Sequence, residues 1–181
     1  MEIGEHMVSA GPENGENIPK GGIKTRATRM PTTIEGRLPW ADRFRRPNTN
    51  QLSDHYDKVI GKLFTTARER LLATAGVKEE MEWQGVPWRW TLVYRSPGDP
   101  TKALAYLAAT IGKPQIAVPL TADMADGLPH DRLKKFVRDG VENGRRVGTV
   151  IWASWEIGSL SDLEAVLDLV KRKHHAFTRM N

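Results

Sequence analysis

The stretch 81–96, MEWQGVPWRWTLVYRS, decides the fold because its second half has the alternation of a β-strand. Every second residue of an extended chain points to the same face of a sheet. One face is predicted to carry Trp88, Trp90, Leu92 and Tyr94, and the other Arg89, Thr91, Val93 and Arg95. Aromatic and β-branched residues in this alternation are typical of a half-buried strand.

The residues before this strand predict a tight turn, so the stretch as a whole predicts a β-hairpin. Gly85 can adopt a positive φ, and Pro87 has no N–H to donate to a strand ladder. We expect the arms at 80–83 and 87–95. Most of the rings should then lie in the core of the sheet. An exposed aromatic binding surface is the alternative, because an indole N–H needs a polar partner.

The remaining periodicity predicts an α+β fold with the order α-β-β-β-β-α-β-α. Apolar residues recur at threes and fours over 53–75, with Asn50 or Ser53 as the cap, and again over 131–144 and 159–180. In the last helix, Ser161 and Glu164 have capping-box spacing. Further strands are expected at 103–112, 115–120 and 148–159. These elements predict an antiparallel sheet of about five strands, covered by helices on one face.

The chain is long enough for one domain with a substantial core. Residues 1–30 have almost no apolar periodicity, so we expect a disordered tail, and Met30 is an alternative start. Residues 31–50 are expected to form an extended arm that packs through Leu38, Trp40 and Phe44. Residues 51–181 are predicted to form a single α+β domain.

Composition narrows the plausible functions. The chain has no cysteine, which excludes disulfides, thiolate metal sites and cysteine nucleophiles and suits a reducing compartment. No apolar run approaches the ~20 residues that cross a membrane, and the first residues do not resemble a secretory signal. We therefore expect a cytoplasmic protein that does not engage membranes. The net charge of +5 is too small to indicate a partner.

Recognisable catalytic and metal-binding motifs are missing from the sequence. It contains no H-E-x-x-H, G-x-S-x-G, Walker or G-x-G-x-x-G motif. We accordingly expect no cofactor, no metal and no catalytic residue. Glu82 is the most suggestive carboxylate, since apolar neighbours can raise a carboxyl pKa, but strand alternation should turn it away from Trp83 towards solvent.

Two constellations remain as candidate binding sites. Trp152 and Trp155 are three residues apart, so either a bulge intervenes or one ring leaves the core, and we expect Trp155 to leave it. The first candidate, the predicted groove, comprises Trp83, Trp88, Trp155, Arg89 and Arg95. The second, the basic surface, comprises Arg132, Lys135, Arg138, Arg145 and Arg146 and would bind an anion or nucleic acid. The basic residues that end the last helix are explained by its dipole.

Four stretches resemble a family of small, uncharacterised bacterial α+β proteins known only as a domain of unknown function. They are EWQGVPWRWTLVYR, ALAYLAA…GKPQIAVPL, RLKKFVRDGVENGRRVG and WASWEIGSLSDLEAVLDLVKRKH, and they cover roughly residues 50–176. The shared pattern is W-x-G-x-x-W-x-W … V-P-L … V-R-D-G … W-x-x-W. The resemblance implies a compact α+β domain and brings no activity, ligand or catalytic residue with it.

These observations favour a non-catalytic binding module that holds a small ligand or a protein segment in the predicted groove. The alternative is a weak nucleic-acid binder that uses the basic surface together with Arg89. An enzyme of unknown class is the third hypothesis.

Overall fold

The structure is a computed structural model that describes residues 38–96 and 99–179. The helices are α1 (Thr49–Ser53), α2 (Lys58–Leu72), α3 (Ala122–Asp126), α4 (Lys135–Glu142) and α5 (Leu160–Arg179), with a 3₁₀ turn at His130–Arg132. The strands are β1 (Lys78–Trp83), β2 (Trp90–Ser96), β3 (Asp99–Ala108), β4 (Gln115–Thr121), β5 (Arg145–Val147) and β6 (Val150–Glu156). The predicted tail and the start of the arm, residues 1–37, lie outside the described residues.

The strands form one antiparallel sheet in the order β1-β2-β3-β4-β6-β5. The α+β class is confirmed. The described part of the chain has six strands where about five were predicted, because the short segment Arg145–Val147 pairs with the edge of β6. It also has two short helices, α1 and α3, that were not predicted. Neither contains enough residues for an apolar stripe to be recognised.

Caps decide where the two long helices begin, and both predicted caps are wrong. The Asp57 side chain accepts hydrogen bonds from the backbone N–H groups of Val59 and Ile60, so α2 begins after Asp57. Neither Asn50 nor Ser53 caps it, because both belong to the separate helix α1. In α5, Ser159 accepts a hydrogen bond from the Asp162 N–H at 3.1 Å, which places the cap two residues before the predicted Ser161.

The helix-facing side of the sheet packs against α2, α4 and α5, and the opposite side is called the open face. Trp90, Leu92 and Tyr94 point to the helix-facing side, as predicted. Trp88 was predicted to join them but packs on the open face. The reason is local: Arg89 has a φ of 55°, which reverses the chain between the two tryptophans and interrupts the alternation.

The described part of the predicted arm continues into this core. Leu38 and Trp40 are buried, and the Trp40 carbonyl accepts a hydrogen bond from the Trp90 N–H at 3.3 Å. The Trp90 indole N–H donates to the Asp42 carbonyl at 2.7 Å. Phe44 was expected to pack as well but is 96% exposed. The arm therefore docks through its first apolar residues and through backbone contacts with the start of β2.

An opening in the middle of the sheet sets the position of the candidate site. β3 and β4 pair only through residues 106–108 and 115–117, and beyond that point the two strands part. On its other side, β3 bulges against β2: Tyr94 pairs with Ala105 and Arg95 with Ala103, so Leu104 is the extra residue. A bulge bends its strand and leaves backbone groups outside the ladder. β4 meanwhile stays paired with β6 along its whole length.

Candidate ligand-binding cleft

A cleft of about 940 Å³ occupies the opening between β3 and β4. Lys102, Ala103 and Tyr106 line it from β3, and Pro119 and Leu120 line it from β4. Helix α3 and the loop after it form one side, and the last turns of α5 form another. Drug-sized ligands occupy clefts of this volume, which are mostly apolar with a few polar groups. The parting of two strands has thus produced a ligand-sized space.

Lys173 of α5 is the most unusual residue of this cleft. The residue is only 5% exposed, and its ammonium donates to the carbonyl oxygens of Ala103 at 2.8 Å and Leu104 at 3.1 Å. These carbonyls belong to the bulged part of β3. The Phe177 ring centroid lies 5.3 Å from the Lys173 Nζ. Lys173 thus bridges α5 and the bulge, and the residue also lines the cleft.

Burial changes the protonation of this amine. Removing an ammonium from water disfavours its charged form, and desolvation lowers the pKa of Lys173 to about 7. No carboxylate of the described side chains pairs with it to restore the charge. A substantial fraction of Lys173 is therefore neutral at physiological pH.

Three aromatic rings cluster on the open face and supply one wall of the cleft. Tyr106 and Trp152 line the cleft, with ring centroids 5.3 Å apart, and Trp88 packs 5.6 Å from Tyr106 and 5.5 Å from Trp152. Burial is the main cause that raises the pKa of the Tyr106 hydroxyl, so Tyr106 stays protonated. Offset and tilted rings at these separations attract one another and present an apolar surface.

Charged side chains surround the cleft. Lys102 and Arg172 lie on one side and Asp123 on another, and all three are exposed. Arg172 is hydrogen bonded to Asp168 one turn earlier at 2.8 Å. The lining as a whole carries Lys102, Arg172 and Lys173 together with the single carboxylate of Asp123.

The structure does not bring the predicted groove together. Trp83 contacts Trp90 beside the helix-facing side, with ring centroids 5.8 Å apart, whereas Trp88 lies on the open face. Arg95 is held by Glu80 at 3.3 Å and by Glu82 at 2.6 Å, and Arg89 occupies the positive-φ position of the turn. The glutamate that looked most suggestive in the sequence, Glu82, is thus an ion-pair partner on the open face.

The assignment of Trp155 to the groove is wrong. β6 has no bulge, so residues three apart point to opposite faces, and one of the two tryptophans leaves the core as expected. That ring is Trp152. Trp155 is only 3% exposed and donates from its indole N–H to the Phe136 carbonyl at 3.0 Å. Gly140 makes room for it, because a Cβ at that position would overlap the indole.

The positive charge of the basic surface is less concentrated in the structure than the sequence indicates. Two of its three helical cations have partners one turn away: Lys135 is 3.4 Å from Asp139, and Arg138 is 4.0 Å from Glu142. Arg132 is exposed in the 3₁₀ turn, outside α4. Arg145 and Arg146 are exposed on β5, where neighbouring side chains point to opposite faces. The five residues therefore do not form one continuous positive patch.

Sequence reasoning missed Lys173, Tyr106 and Trp152 as cleft residues. A signal for Lys173 was present: Val166, Val170 and Phe177 form an apolar stripe at helical spacing, and Lys173 occupies a position within it. A cation at a stripe position lies on the face of the helix that packs against the core. The parting of β3 from β4 had no comparable signal, because both segments have the composition of ordinary strands.

Comparison with known proteins adds no relative. No protein-family model matches the sequence, and no curated protein matches it. The resemblance to a domain of unknown function stays a prediction. Within the described residues, no helix is long and apolar enough to cross a membrane, and no cluster of His, Cys, Asp or Glu side chains could hold a metal ion.

Proposed function

We propose that this protein is a binding module for a small ligand that combines an apolar, ring-containing body with an acidic group. The ligand lies in the cleft between β3 and β4. The observation that carries the proposal is the cleft itself: it is ligand-sized, and both an aromatic wall and a buried lysine border it. Concave, largely apolar spaces with a few converging polar groups are the usual sites of small ligands.

The apolar part of the ligand is assigned to the open-face side of the cleft. Trp152 offers a half-exposed ring there, the buried Tyr106 ring packs against it, and Leu120 lines the same space. Aromatic pairs stabilise a complex by about 0.5–1.5 kcal/mol beyond the area that they bury. A planar ligand that stacks on Trp152 would therefore be favoured over an aliphatic ligand of the same size.

The acidic group is assigned from the charges of the lining. Arg172 presents a planar guanidinium, which suits a carboxylate or phosphate, although Asp168 already contacts it. In its protonated form, Lys173 has a third N–H to donate, in a site of low dielectric constant where an ionic contact is stronger than in water. The cleft should therefore prefer an anion to a neutral molecule of the same shape.

A pair of fluorescent probes tests both parts of the proposal. Anilinonaphthalene sulfonate carries a negative charge, and N-phenyl-1-naphthylamine has the same rings without it. Both should bind the native protein with enhanced fluorescence, and the sulfonate should bind more tightly. Added salt should reduce the difference in affinity between the two probes, because salt screens the exposed charges. Equal affinity of the two probes would refute the anionic preference.

Two variants on one helix locate the bound probe. Ala176→Trp places a large ring in the cleft and should abolish binding of both probes. Lys171→Trp adds the same ring at an exposed position of α5 that does not line the cleft and should leave binding unchanged. Retained binding by Ala176→Trp, with the variant folded by circular dichroism, would show that the cleft is not the site.

Nucleic-acid binding is the second candidate, and one observation favours it. Arg145 pairs in register with Trp152, so an exposed cation lies beside an aromatic residue on the open face. Stacking of bases on such rings, with arginine near the phosphates, is a common mode of single-strand binding. A generic oligonucleotide should then bind at low salt and lose affinity steeply as salt rises. Unchanged binding by Arg145→Glu would remove this candidate.

The location and the family belong to the same proposal. A chain without cysteine suits the cytoplasm, where we place this binding module. The tryptophan pattern of the hairpin supports membership of the uncharacterised bacterial family. Neither assignment changes the chemistry of the cleft.

A further inference from the structure

We propose that Lys173 forms a reversible imine with the ligand, and that the ligand is an aromatic aldehyde or ketone that also carries an acidic group. The inference rests on the proposed binding function and adds a covalent step to it. Its basis is a buried lysine that lines the cleft and whose nitrogen is hydrogen bonded to two backbone carbonyls.

The two backbone carbonyls fix the orientation of this amine. A neutral amine has two N–H bonds and one lone pair, and Lys173 has two acceptors at hydrogen-bond distance, the carbonyl oxygens of Ala103 and Leu104. With both N–H bonds engaged, the lone pair takes the remaining tetrahedral position, away from the two oxygens. Lys173 lines the cleft, so a ligand would approach this lone pair from the side away from the two oxygens. The bulge of β3 therefore orients the nucleophile.

The surroundings also favour the reactive, neutral form. Lys173 occupies a position in the apolar stripe of α5, next to the Phe177 ring and within a turn of Leu169. The charged groups of the lining are Lys102, Arg172 and Asp123, and all three are exposed. Desolvation holds the pKa of Lys173 near 7, so the amine need not be deprotonated by a separate base.

The reaction balances without any further reagent. The Lys173 nitrogen attacks the carbonyl carbon, and a C–N bond forms while the carbonyl π electrons move to oxygen. The nitrogen transfers a proton to that oxygen through solvent, which gives a carbinolamine. Loss of one water molecule then gives the imine, and addition of water reverses the sequence. Nothing is oxidised or reduced.

The shape of the cleft selects among carbonyl compounds. A carbonyl carbon bonded to Lys173 places the rest of the ligand in the space bordered by Tyr106 and Trp152. An aromatic body fits this wall, and a carboxylate on it can reach towards Arg172. A protonated imine keeps one N–H and therefore one of the two carbonyl contacts, whereas a neutral imine keeps neither. The ligand class is therefore an aromatic carbonyl compound with a carboxylate.

Reductive trapping tests this proposal on the wild-type protein. The chain is incubated with a limiting amount of 4-carboxybenzaldehyde and with sodium cyanoborohydride, which reduces an imine to a stable secondary amine. Peptide mapping by mass spectrometry then locates the label. Lys173 should be labelled at least tenfold faster than Lys171, which is exposed two residues earlier on the same helix. Labelling of Lys171 at an equal or higher rate would overturn the proposal.

Variants and a non-reactive analogue distinguish imine formation from ligand binding. Lys173→Arg keeps a cation but cannot form an imine, so it should lose the fast label at this position, and circular dichroism checks that the variant is folded. A variant that fails to fold does not affect the wild-type mapping. The alcohol 4-(hydroxymethyl)benzoate should protect Lys173 from labelling without reacting. If the sulfonate probe binds in the cleft and Lys173 is not labelled preferentially, the imine is refuted and the binding function stands.

Discussion

Trp152 and Trp155 lie three residues apart on one strand and have opposite environments. Trp155 points to the helix-facing side, where Gly140 lets α4 approach and the Phe136 carbonyl accepts its N–H. Trp152 points to the open face, where it contacts Tyr106 and Trp88 and lines the cleft. The same side chain therefore stabilises the core on one face of the sheet and is available to a ligand on the other.

Helix packing divides the sheet into an enclosed side and an open side. On the helix-facing side, Trp155 and Tyr94 are enclosed and their polar atoms are hydrogen bonded. On the open face, Tyr106 is buried, but the Trp88 and Trp152 rings that contact it remain half-exposed. Substitutions on the first side should change the free energy of unfolding. Those on the second should chiefly change ligand binding.

The largest expected effect is the loss of Trp155. Trp155→Ala should lower the free energy of unfolding by about 3–5 kcal/mol, because it removes buried apolar surface and leaves a cavity. Trp152→Ala should cost about 1 kcal/mol, since much of that ring already contacts water. Urea unfolding of both variants measures the difference. Equal losses would mean that the two sides of the sheet are not distinct.

The buried amine should give the next largest effect, as a pH dependence. The pKa of Lys173 is about 7 when folded and about 10.5 when unfolded, so between these values the unfolded chain binds more protons. Stability should therefore rise with pH by up to ~1.4 kcal/mol per unit between about pH 7.5 and 9.5. Below pH 7, where Lys173 is protonated in both the folded and the unfolded state, its contribution to the free energy of unfolding should no longer change with pH.

Lys173→Met is the matched control for this slope. It keeps an unbranched side chain of similar length but has no group that titrates, so its slope over the same interval should be nearly flat. Urea unfolding at fixed pH steps checks both proteins. An identical slope in wild type and Lys173→Met would show that Lys173 keeps an ordinary pKa.

A smaller effect is expected at Gly140. Gly140→Ala forces a methyl group into the Trp155 indole and should destabilise the protein by about 1–3 kcal/mol. Gly61 is the matched control in another helix, because a Cβ there would lie 3.8 Å from its nearest neighbours. Gly61→Ala should be neutral or stabilise by up to ~1 kcal/mol, since alanine is the better helix former. Thermal unfolding measures the stability of both variants. If Gly140→Ala is as stable as Gly61→Ala or more stable, α4 does not pack on Trp155.

The smallest difference concerns two ion pairs, one on each side of the sheet. Arg68 contacts both carboxylate oxygens of Glu79, and the buried Tyr94 hydroxyl donates to Glu79 at 2.9 Å. Glu79→Ala leaves that hydroxyl without its acceptor and should cost about 1–3 kcal/mol. Glu82→Ala on the open face should cost less than ~1 kcal/mol. Glu79→Gln, which retains an acceptor, should recover part of the loss in urea unfolding.

Much of the fold could be predicted from local patterns, and the site could not. Alternation in 90–94 and helical stripes in α2 and α5 predicted the elements, because each pattern depends only on neighbours along the chain. The prediction failed at Trp88, where one positive φ at Arg89 reversed the face. It failed again at Trp155. The three-residue spacing shows that the Trp152 and Trp155 rings point to opposite faces, but it does not show which face the helices cover.

The cleft depends on tertiary geometry that no local pattern encodes. Its opening exists because β3 keeps only three residue pairs with β4, and the bulge at Leu104 supplies the carbonyls for Lys173. The one local clue was a lysine in the apolar stripe of α5. Tyr106 and Trp152 become neighbours only when β3, β4 and β6 align.

Nuclear magnetic resonance of the ¹⁵N-labelled protein titrated with anilinonaphthalene sulfonate tests whether the ligand binds in the cleft between β3 and β4. If the opening between β3 and β4 is the ligand site, amide shifts should change along 102–106, 120–121 and 169–177. Residues 135–142, on the basic surface, should not respond. Shift changes concentrated on that basic surface, or spread evenly over the protein, would show that the cleft is not the ligand site.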